Sequence, residues 1–457
     1  MKQKLTRKTV TLAACAALLG AAALPAAANA LYFDFNANNQ GATPTASLFL
    51  FGAAGQTATI SNLAGFNTTV TLNAQGFFSQ AIANTYEQSG TGIRNTGFQV
   101  DSSSAIAGYF INRAGFTTDM SYLLNAAALD KQYVVASMGG GFGEGSQVAI
   151  HATANDTHVT FTPKGGAAIN VTLQAGQTYK YAGGTVDLTG SSINSDKNVA
   201  VFSGHECAQV PAGTTFCDTL LEQAIPTSKL SKTYYTTATA GSALATDRSD
   251  LIRVIATADG TQVKKDGVIV ATLAAGAFYE YLLPTGTGTK IETSEPVAVA
   301  QYLTGGGGAN TDPAFTYVPG ADTLLNSYLL STPNGASAFV QNYATVVIDA
   351  ADLTTLTLNG VLVNTSGFLQ IGSSGFYGGN INLPVGLFTL SALDPFLVLL
   401  GGGSSADSYL TYGGSSFAPG VSPVIPPTPG IPEPSTVALF GTALIALTLA
   451  RRKRKNG

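Results

Sequence analysis

The body of the chain repeats itself four times at intervals of about 100 residues, and this repetition limits the fold more than any other feature. The segment VTLQAGQTYKYAG at 171–183 resembles ATLAAGAFYEYLL at 271–283, VTLNAQGFFSQAI at 70–82 and, more loosely, INLPVGLFTL at 381–390. The glycines of this element take equivalent places, at Gly76, Gly176, Gly276 and Gly386. A second element follows it each time, at 100–111, 193–204, 291–302 and 390–401. One structural unit is therefore used four times.

Within each repeat the pattern is that of short β-strands. Apolar residues alternate with polar ones, as in Val159-Thr160-Phe161, and Asp-Gly or Asn-Gly turns such as Asp259-Gly260 and Asn359-Gly360 interrupt them. Both dipeptides suit hairpins because their residues accept positive φ. Charged residues make up 11% of the chain, which excludes coiled coils, long-helix bundles and charged disordered chains. We predict an all-β protein.

Six or seven strands in about 100 residues fit a β-sandwich or jelly-roll-like module. We place four such repeats at residues 31–130, 131–230, 231–325 and 326–417. No linker-like segment separates them before residue 418, so we expect them to pack together. The alternative is a β-propeller in which each repeat supplies one or two blades.

The N-terminal residues 1–30 have the layout of a secretory signal peptide. Four Lys and Arg residues precede an apolar run from 9 to 24, and Ala28-Asn29-Ala30 matches a cleavage site. We expect signal peptidase to cut after Ala30. The sequence around Cys15 resembles a lipoprotein box, but the apolar segment before it is too short.

The C-terminus has three parts: a Pro-rich spacer at 418–434, an uncharged apolar segment at 435–450 and a basic tail at 451–457. As a helix the apolar segment would span about 21–24 Å, which is short of the ~30 Å hydrocarbon core. Because five basic residues follow it, we predict a transmembrane helix whose basic end faces the cytoplasm.

This layout resembles the PEP-CTERM sorting signal, with its motif at Pro432, Glu433, Pro434, Ser435 and Thr436. The resemblance implies removal of the tail by an exosortase in a Gram-negative-type bacterium that makes exopolysaccharide. It also implies an inner-membrane-anchored precursor and a mature form at the cell surface or in the extracellular matrix. A plain single-span anchor is the alternative.

Two cysteines remain after signal cleavage, Cys207 and Cys217. An exported chain matures in an oxidising compartment, so a disulfide between them is the default. A metal site formed by the two cysteines with His205 and Asp218 is the alternative, but the spacing H-x-C-x9-C matches no zinc pattern.

The stretch VAVFSGHECAQVPAGTTFCDTLLEQAIP at 199–226 resembles the IgGFc-binding protein N-terminal domain family. There a strand leads into Ser-Gly-His-x-Cys, a short loop closes on Cys-Asp, and Leu-x-Glu-Gln-x-x-Pro follows. The likeness covers roughly residues 130–415. It departs from the family at 224–230, where the usual Pro-Pro pair and Trp-Gly are missing. The resemblance implies the fold, the cysteine pair and an adhesive role.

The sequence nominates no catalytic or metal site and no cofactor. It has no G-x-S-x-G elbow, H-E-x-x-H helix or EF-hand loop. We interpret His151 and His158 as polar side chains on a wet sheet face. The glycine-rich run 139–145 is expected to be a flexible surface loop. Asp247, Asp250 and Asp259 offer a calcium site as an alternative to a solvated loop.

From 31 to 430 the chain carries 13 Lys and Arg against 25 Asp and Glu, a balance that argues against nucleic-acid binding. We therefore predict a non-catalytic exported surface or matrix protein acting in adhesion or biofilm organisation, with exopolysaccharide or a surface glycoprotein as partner. A specific glycan- or glycoprotein-binding module is the alternative. A polysaccharide-acting enzyme is a third, although no local motif supplies its paired carboxylates.

Overall fold

A computed structural model describes residues 29–38, 44–243, 249–305, 312–404 and 406–421. The all-β prediction is confirmed: the described residues form 31 strands, one four-residue helix at Ala240–Ala243 and five short 3-10 turns. No helix in these ranges is both apolar enough and long enough to cross a membrane. The predicted transmembrane helix at 435–450, the sorting motif and nearly all of the signal peptide lie outside the described residues.

The strands fall into four groups along the chain, which we call units 1 to 4. Unit 1 contains β1 to β9, at Leu31–Phe33, Pro44–Phe51, Thr57–Asn62, Asn67–Thr71, Phe77–Ile82, Gly92–Arg94, Phe98–Ser102, Ala107–Ala114 and Thr117–Tyr122. Unit 2 contains β10 to β16, at Asp130–Val134, Phe142–Ala152, Thr157–Thr162, Ile169–Leu173, Thr178–Gly184, Ser192–Ala208 and Asp218–Gln223.

Units 3 and 4 continue the series. Unit 3 contains β17 to β23, at Ser231–Thr237, Ser249–Ala256, Thr261–Lys265, Val268–Leu273, Phe278–Pro284, Gly288–Leu303 and Ala314–Tyr317. Unit 4 contains β24 to β31, at Leu325–Ser331, Gln341–Asp349, Thr357–Leu358, Val361–Leu362, Leu369–Gln370, Phe376–Asn382, Leu387–Ser404 and Asp407–Tyr412.

A long, bent strand organises units 2 to 4. In unit 2 this strand is β15, with 17 residues. Its first part pairs with β10 and β12, and its second part pairs with β11 and β16, all antiparallel. The strands β22 and β30 play the same part in units 3 and 4. In unit 1 the strand is divided into β7 and β8, which leaves two four-stranded sheets.

Burial along the long strand follows its sequence. In the first part of β15, residues 192–198, Ile193 is buried and its neighbours are partly or fully exposed, whereas the end of the strand, from Val199 to Ala208, is buried throughout. Alternation is typical of a strand with one wet face, and a continuous apolar run is typical of a strand covered on both faces. The second half of each long strand therefore lies in the interior of the molecule.

The four units close into a ring. The last strands of the four units pack together at the centre: β9, β16, β23 and β31. There β9 lies between β16 and β31, and β23 lies between the same two strands on the other side of the ring. The largest apolar cluster contains a residue from the long strand of every unit: Phe110, Phe202, Val299 and Leu399. In addition, β6 leaves unit 1 and pairs with β14 of unit 2. Each unit is therefore packed against two neighbours.

Candidate functional site

The four central strands carry equivalent sequences around one axis. They read TTDMSY at 117–122, DTLLEQ at 218–223, DPAFTY at 312–317 and DSYLTY at 407–412. Each places a polar residue at the fifth position and an apolar residue at the fourth. The side chains and amides at these positions meet on the axis and form two layers of hydrogen bonds.

One layer is centred on the carboxylate of Asp119, which is fully buried. Its two oxygens accept hydrogen bonds from one backbone N–H of each central strand, at 2.9–3.1 Å, and the four donors occupy the same sequence position: Met120, Leu221, Phe315 and Leu410. Burial raises the pKa of Asp119, and the four N–H donors act in the opposite direction. This one side chain links all four units.

The next layer is centred on Glu222, which is also fully buried. One oxygen accepts a hydrogen bond from the hydroxyl of Ser121 at 2.7 Å. The other accepts hydrogen bonds from the hydroxyls of Thr316 at 2.9 Å and Thr411 at 2.8 Å. Burial raises the pKa of Glu222 to about 8, against the effect of these donors. The three hydroxyl residues are the counterparts of Glu222 in the other units.

Acidic side chains lie at one end of the axis. Asp218 accepts hydrogen bonds from the N–H groups of Thr118 and Thr219 at 2.6 and 2.7 Å. Burial raises its pKa, as do the nearby carboxylates of Asp407, Asp312 and Asp119. Asp407 in turn pairs with Arg113 at 3.0 Å. No group of three or more His, Cys, Asp and Glu residues could hold a metal ion in the part of the chain that the structure describes.

The cysteine loop is closed by a disulfide between Cys207 and Cys217, whose Cα atoms are 5.1 Å apart. The neighbouring His205 accepts the Cys207 N–H through Nδ1 at 2.9 Å, so Nε2 carries the proton that it donates to the Gly140 carbonyl at 2.9 Å. Burial lowers the pKa of His205 to about 4. A neutral imidazole held at both nitrogens, beside oxidised cysteines, is not arranged to bind zinc.

The glycine-rich run beside this loop differs from the prediction of a flexible surface loop. Its second part, from Phe142, is the start of β11. A Cβ atom on Gly141 would lie 2.3 Å from the Cys207 carbonyl oxygen, and one on Gly143 would lie 2.3 Å from the Glu206 carboxyl group. These glycines are required because the strand packs directly on the backbone and side chains of the cysteine loop.

A cleft of roughly 480 Å³ lies between units 2 and 3. Among the residues that the structure describes, those that line the cleft carry hydroxyl and amide groups and no charged side chain. Gln132 and Asn194 stand directly opposite each other on β10 and β15, and both are exposed. Thr257 lines the facing side, and Gly190 and Gly276 approach closely where the two units touch. The arrangement offers neutral hydrogen-bonding groups on a concave surface.

Comparison with known proteins places the chain in a family. The family model described as IgGFc binding protein matches residues 119–402. The chain belongs to this family. The human IgGFc-binding protein is 26% identical over 290 residues, which are 60% of this chain and 5% of that protein, so the chain spans a small part of its curated relative. The model of the PEP-CTERM protein-sorting motif matches residues 430–455. Both predicted resemblances are confirmed.

Two solved structures of adhesins are also similar at a low level. A Ca2+-stabilized adhesin with which an Antarctic bacterium binds ice is 13% identical, and the match covers 84% of this chain and 97% of that one. A segment of a 1.5-MDa bacterial ice-binding adhesin is 11% identical, and the match covers 63% and 93%. The TM-score is 0.12 for each, so neither likeness supports an argument about fold or function.

The residues that sequence analysis singled out in this IgGFc-binding family member are distributed over the molecule. His158 is exposed as predicted, but His151 is fully buried beside Asp34, with Nδ1 and Oδ1 3.4 Å apart. Asp250 is fully buried and accepts hydrogen bonds from Thr239 and Gln301. Asp259 lies beyond the opposite end of β18, so these two do not form a calcium site. Asp247 lies outside the described residues.

Sequence analysis missed the polar axis. It did not single out Asp119, and it included Glu222 only as part of the family stretch at 199–226. The signal that reveals them is the alignment of the four last strands, in which Glu222 takes the place of Ser121, Thr316 and Thr411. Ala30, at the predicted signal cleavage site, is buried, and its carbonyl accepts the N–H of Ala126 at 2.8 Å. Ala28 lies outside the described residues.

Proposed function

We propose that the chain is an exported, non-catalytic surface or extracellular-matrix protein that acts in adhesion or exopolysaccharide organisation. The observation that carries this proposal is the PEP-CTERM motif at 430–455 behind a member of the IgGFc-binding family. The structure supports a non-catalytic role because two fully buried carboxylates on the axis, Asp119 and Glu222, are occupied by hydrogen bonds that hold the ring together.

The proposed route begins with export through the signal peptide 1–30 and cleavage by signal peptidase after Ala30. The precursor is then held in the inner membrane by the helix 435–450, and an exosortase recognises Pro432–Thr436 and removes the tail. To test this route, the mature protein is isolated from cells with and without the exosortase, and its C-terminus is determined by mass spectrometry. The proposal requires loss of residues 437–457 in the first strain alone, and retention in both strains would refute processing.

The described body acts, in this proposal, as one rigid platform of four sandwich-like repeats at 31–130, 131–230, 231–325 and 326–417. Support comes from the curled sheets organised by β15, β22 and β30, whose halves pair with different strands. The radial arrangement of β9, β16, β23 and β31 is the feature that a propeller would share. A rigid body presents its junctions and loops at fixed positions, which suits repeated weak contacts with a polymer.

Specific glycan binding is a second candidate function, and the cleft between units 2 and 3 favours it. Sugars present hydroxyl groups, which pair with uncharged hydroxyl and amide side chains such as those of Gln132, Asn194 and Thr257. The neutral lining matches a neutral saccharide better than a charged ligand. Since ligand sites occur preferentially at interfaces between domains, the position of the cleft is also suitable.

The two candidates are separated by a binding titration. The purified exported protein is titrated with the exopolysaccharide of its producer, and with IgG Fc in parallel. The Gln132→Ala, Asn194→Ala double variant changes the cleft, and Asn170→Ala changes an exposed residue elsewhere on the sheet of unit 2 as a matched control. Saturable polysaccharide binding that only the double variant loses supports the glycan site. Binding that both variants retain assigns adhesion to another surface, and absence of any polysaccharide binding refutes the matrix-binding proposal.

A further inference from the structure

A fully buried lysine contacts a fully buried glutamine at the junction of units 1 and 2. Lys180 lies on β14 and Gln147 on the adjacent strand β11, and both side chains have no exposed surface. Lys180 is paired with Ala149 and Gln147 with Ala182, so the two residues are diagonal neighbours on one face of the sheet. The Nζ atom of Lys180 donates a hydrogen bond to Oε1 of Gln147.

The glutamine amide is held in one orientation by contacts on both sides. Its Nε2 donates to the Ala37 carbonyl at 2.8 Å, while its Oε1 accepts from Lys180. Because a carbonyl bond is about 1.2 Å long, the carbon Cδ lies one short bond beyond the oxygen that the amine already contacts. The amine and the amide carbon are therefore neighbours in the folded protein before any reaction.

A carboxylate stands beside this pair. Oε2 of Glu144 lies 3.8 Å from Nζ of Lys180, and the Glu144 side chain is 13% exposed. The other charged groups near the lysine are Glu206, Glu87 and Arg94. Burial lowers the pKa of Lys180 to about 8, and the three glutamates oppose that shift. The site thus combines a buried amine that gives up its proton readily, a buried amide and a proton acceptor that is partly open to solvent.

We propose that Lys180 and Gln147 form an intramolecular isopeptide bond, with Glu144 transferring the protons. The contact, the burial and the neighbouring carboxylate are the arrangement that amide exchange between two side chains requires. The bond would join β11 to β14 covalently beneath residues 36–38 of unit 1.

The reaction balances without an oxidant or a second substrate. Glu144 takes a proton from the Lys180 ammonium, and the lone pair on Nζ adds to Cδ of Gln147. The bond from Cδ to Nε2 then breaks. Nε2 keeps its own two hydrogens and gains two protons that came from the lysine, and Glu144 delivers the second of these protons. The products are a secondary amide and an ammonium ion, which carries away the charge of the lysine. The partly exposed side of Glu144 is the route by which this ion reaches solvent.

The product removes an electrostatic cost of the folded state. A lysine ammonium in a fully buried position loses its hydration, whereas an amide is neutral and keeps one N–H donor and one carbonyl acceptor. The folded protein therefore favours the linked form, and the reaction needs the fold because only the fold brings Lys180 and Gln147 together. For a protein exposed to mechanical load outside the cell, the link would prevent β14 from separating from β11.

The decisive experiment is mass spectrometry of the purified full-length exported protein. The expected mass is that of the processed chain, less the two hydrogens lost to the disulfide and less one ammonia. Trypsin does not cut after an acylated lysine, so the digest should contain peptide 132–164 joined to peptide 165–197. An intact mass without the ammonia loss, together with free peptides 132–164 and 165–180, would overturn the proposal.

Variants test the assigned roles. Lys180→Arg keeps a cation on β14 but supplies no nucleophilic amine, and should give the unlinked mass. Glu144→Gln keeps the shape of the side chain and should leave Lys180 and Gln147 unlinked in a folded protein. Lys197→Arg, at a partly exposed lysine on β15, is the matched control and should remain fully linked. Complete linkage in Glu144→Gln would refute the proton transfer through Glu144.

Discussion

Replacing Glu222 by Gln should make the protein less sensitive to pH. The carboxyl group is fully buried at the centre of the ring, and burial raises its pKa from the ordinary 4.5 to about 8. Between these two values the folded protein binds one proton more than the unfolded chain, so the stability due to this group is fully present below pH 4.5 and declines as the pH rises to 8. Gln has the shape of the protonated acid and does not titrate.

The magnitude follows from the size of the shift. One pKa unit corresponds to about 1.4 kcal/mol, so the wild-type protein should lose roughly 3–4 kcal/mol of unfolding free energy from this group between pH 5 and pH 8. The hydroxyls of Ser121, Thr316 and Thr411 can accept as well as donate, so the Gln amide keeps partners for its N–H groups. The variant should therefore gain stability relative to wild type by roughly 3–4 kcal/mol over the same interval.

Urea unfolding at pH 5, 6.5 and 8 measures this difference, and tyrosine fluorescence follows it because the chain has no Trp. Burial also raises the pKa values of Asp250 and Asp407 to about 6, but both residues are present in both proteins, so their effect cancels in the comparison. Glu295→Gln, at a side chain that is 49% exposed, is the matched control. If the unfolding free energies of variant and wild type differ by the same amount at pH 5 and at pH 8, the pH dependence does not come from Glu222.

Three further substitutions test how the ring and its junctions are held together. Asp119→Ala leaves four buried N–H donors without an acceptor, and each costs about 1–3 kcal/mol. The summed cost is comparable to the whole stability of a typical domain, so circular dichroism should show no cooperative melting. Exposed Asp101→Ala should melt like wild type. Cys207→Ser opens a loop with a sequence separation of 10 and should cost about 2.5–3 kcal/mol in urea unfolding, an effect that reduction of the Cys207–Cys217 bond should reproduce. Arg253→Met removes a buried guanidinium at the junction of units 2 and 3, which contacts the Ser137 carbonyl and the partly exposed carboxylates of Asp187 and Glu280. This change should lower the unfolding free energy measured in urea by about 2–3 kcal/mol.

The strand content and the repetition could be predicted because both depend on short-range patterns. Alternation such as Val159-Thr160-Phe161 indicates a strand with one wet face, and the structure places these residues in β12. The same reasoning fails at Thr316 and Thr411. A hydroxyl residue in a strand predicts exposure, but both side chains point to a buried carboxylate supplied by another unit. The acceptor is 94 residues from Thr316 and 189 residues from Thr411, so no pattern within a single strand reveals it.

His151 shows a second limit of the same reasoning. The stretch that begins at it, HATANDTHVT at 151–160, is rich in polar residues, and this pattern predicts a wet face. In the structure the side chain is covered by unit 1, where Asp34 lies beside it and Tyr32 packs on its ring at 5.1 Å between centroids. These partners are more than 100 residues away in sequence, and no local pattern encodes them. Polar residues at the junctions are for this reason the least predictable part of the molecule.

The stretch that matches the family does not include everything that closes the ring. The match ends at residue 402, within β30, whereas the fourth central strand, β31, begins at Asp407. That strand supplies Leu410 to the layer around Asp119 and Thr411 to the layer around Glu222. Without β31, both carboxylates would lose a donor and β9 would lose one of its two neighbours in the ring. Because a buried acceptor is costly when its donors are removed, a relative with the same central layers must provide an equivalent strand from residues beyond the matched stretch.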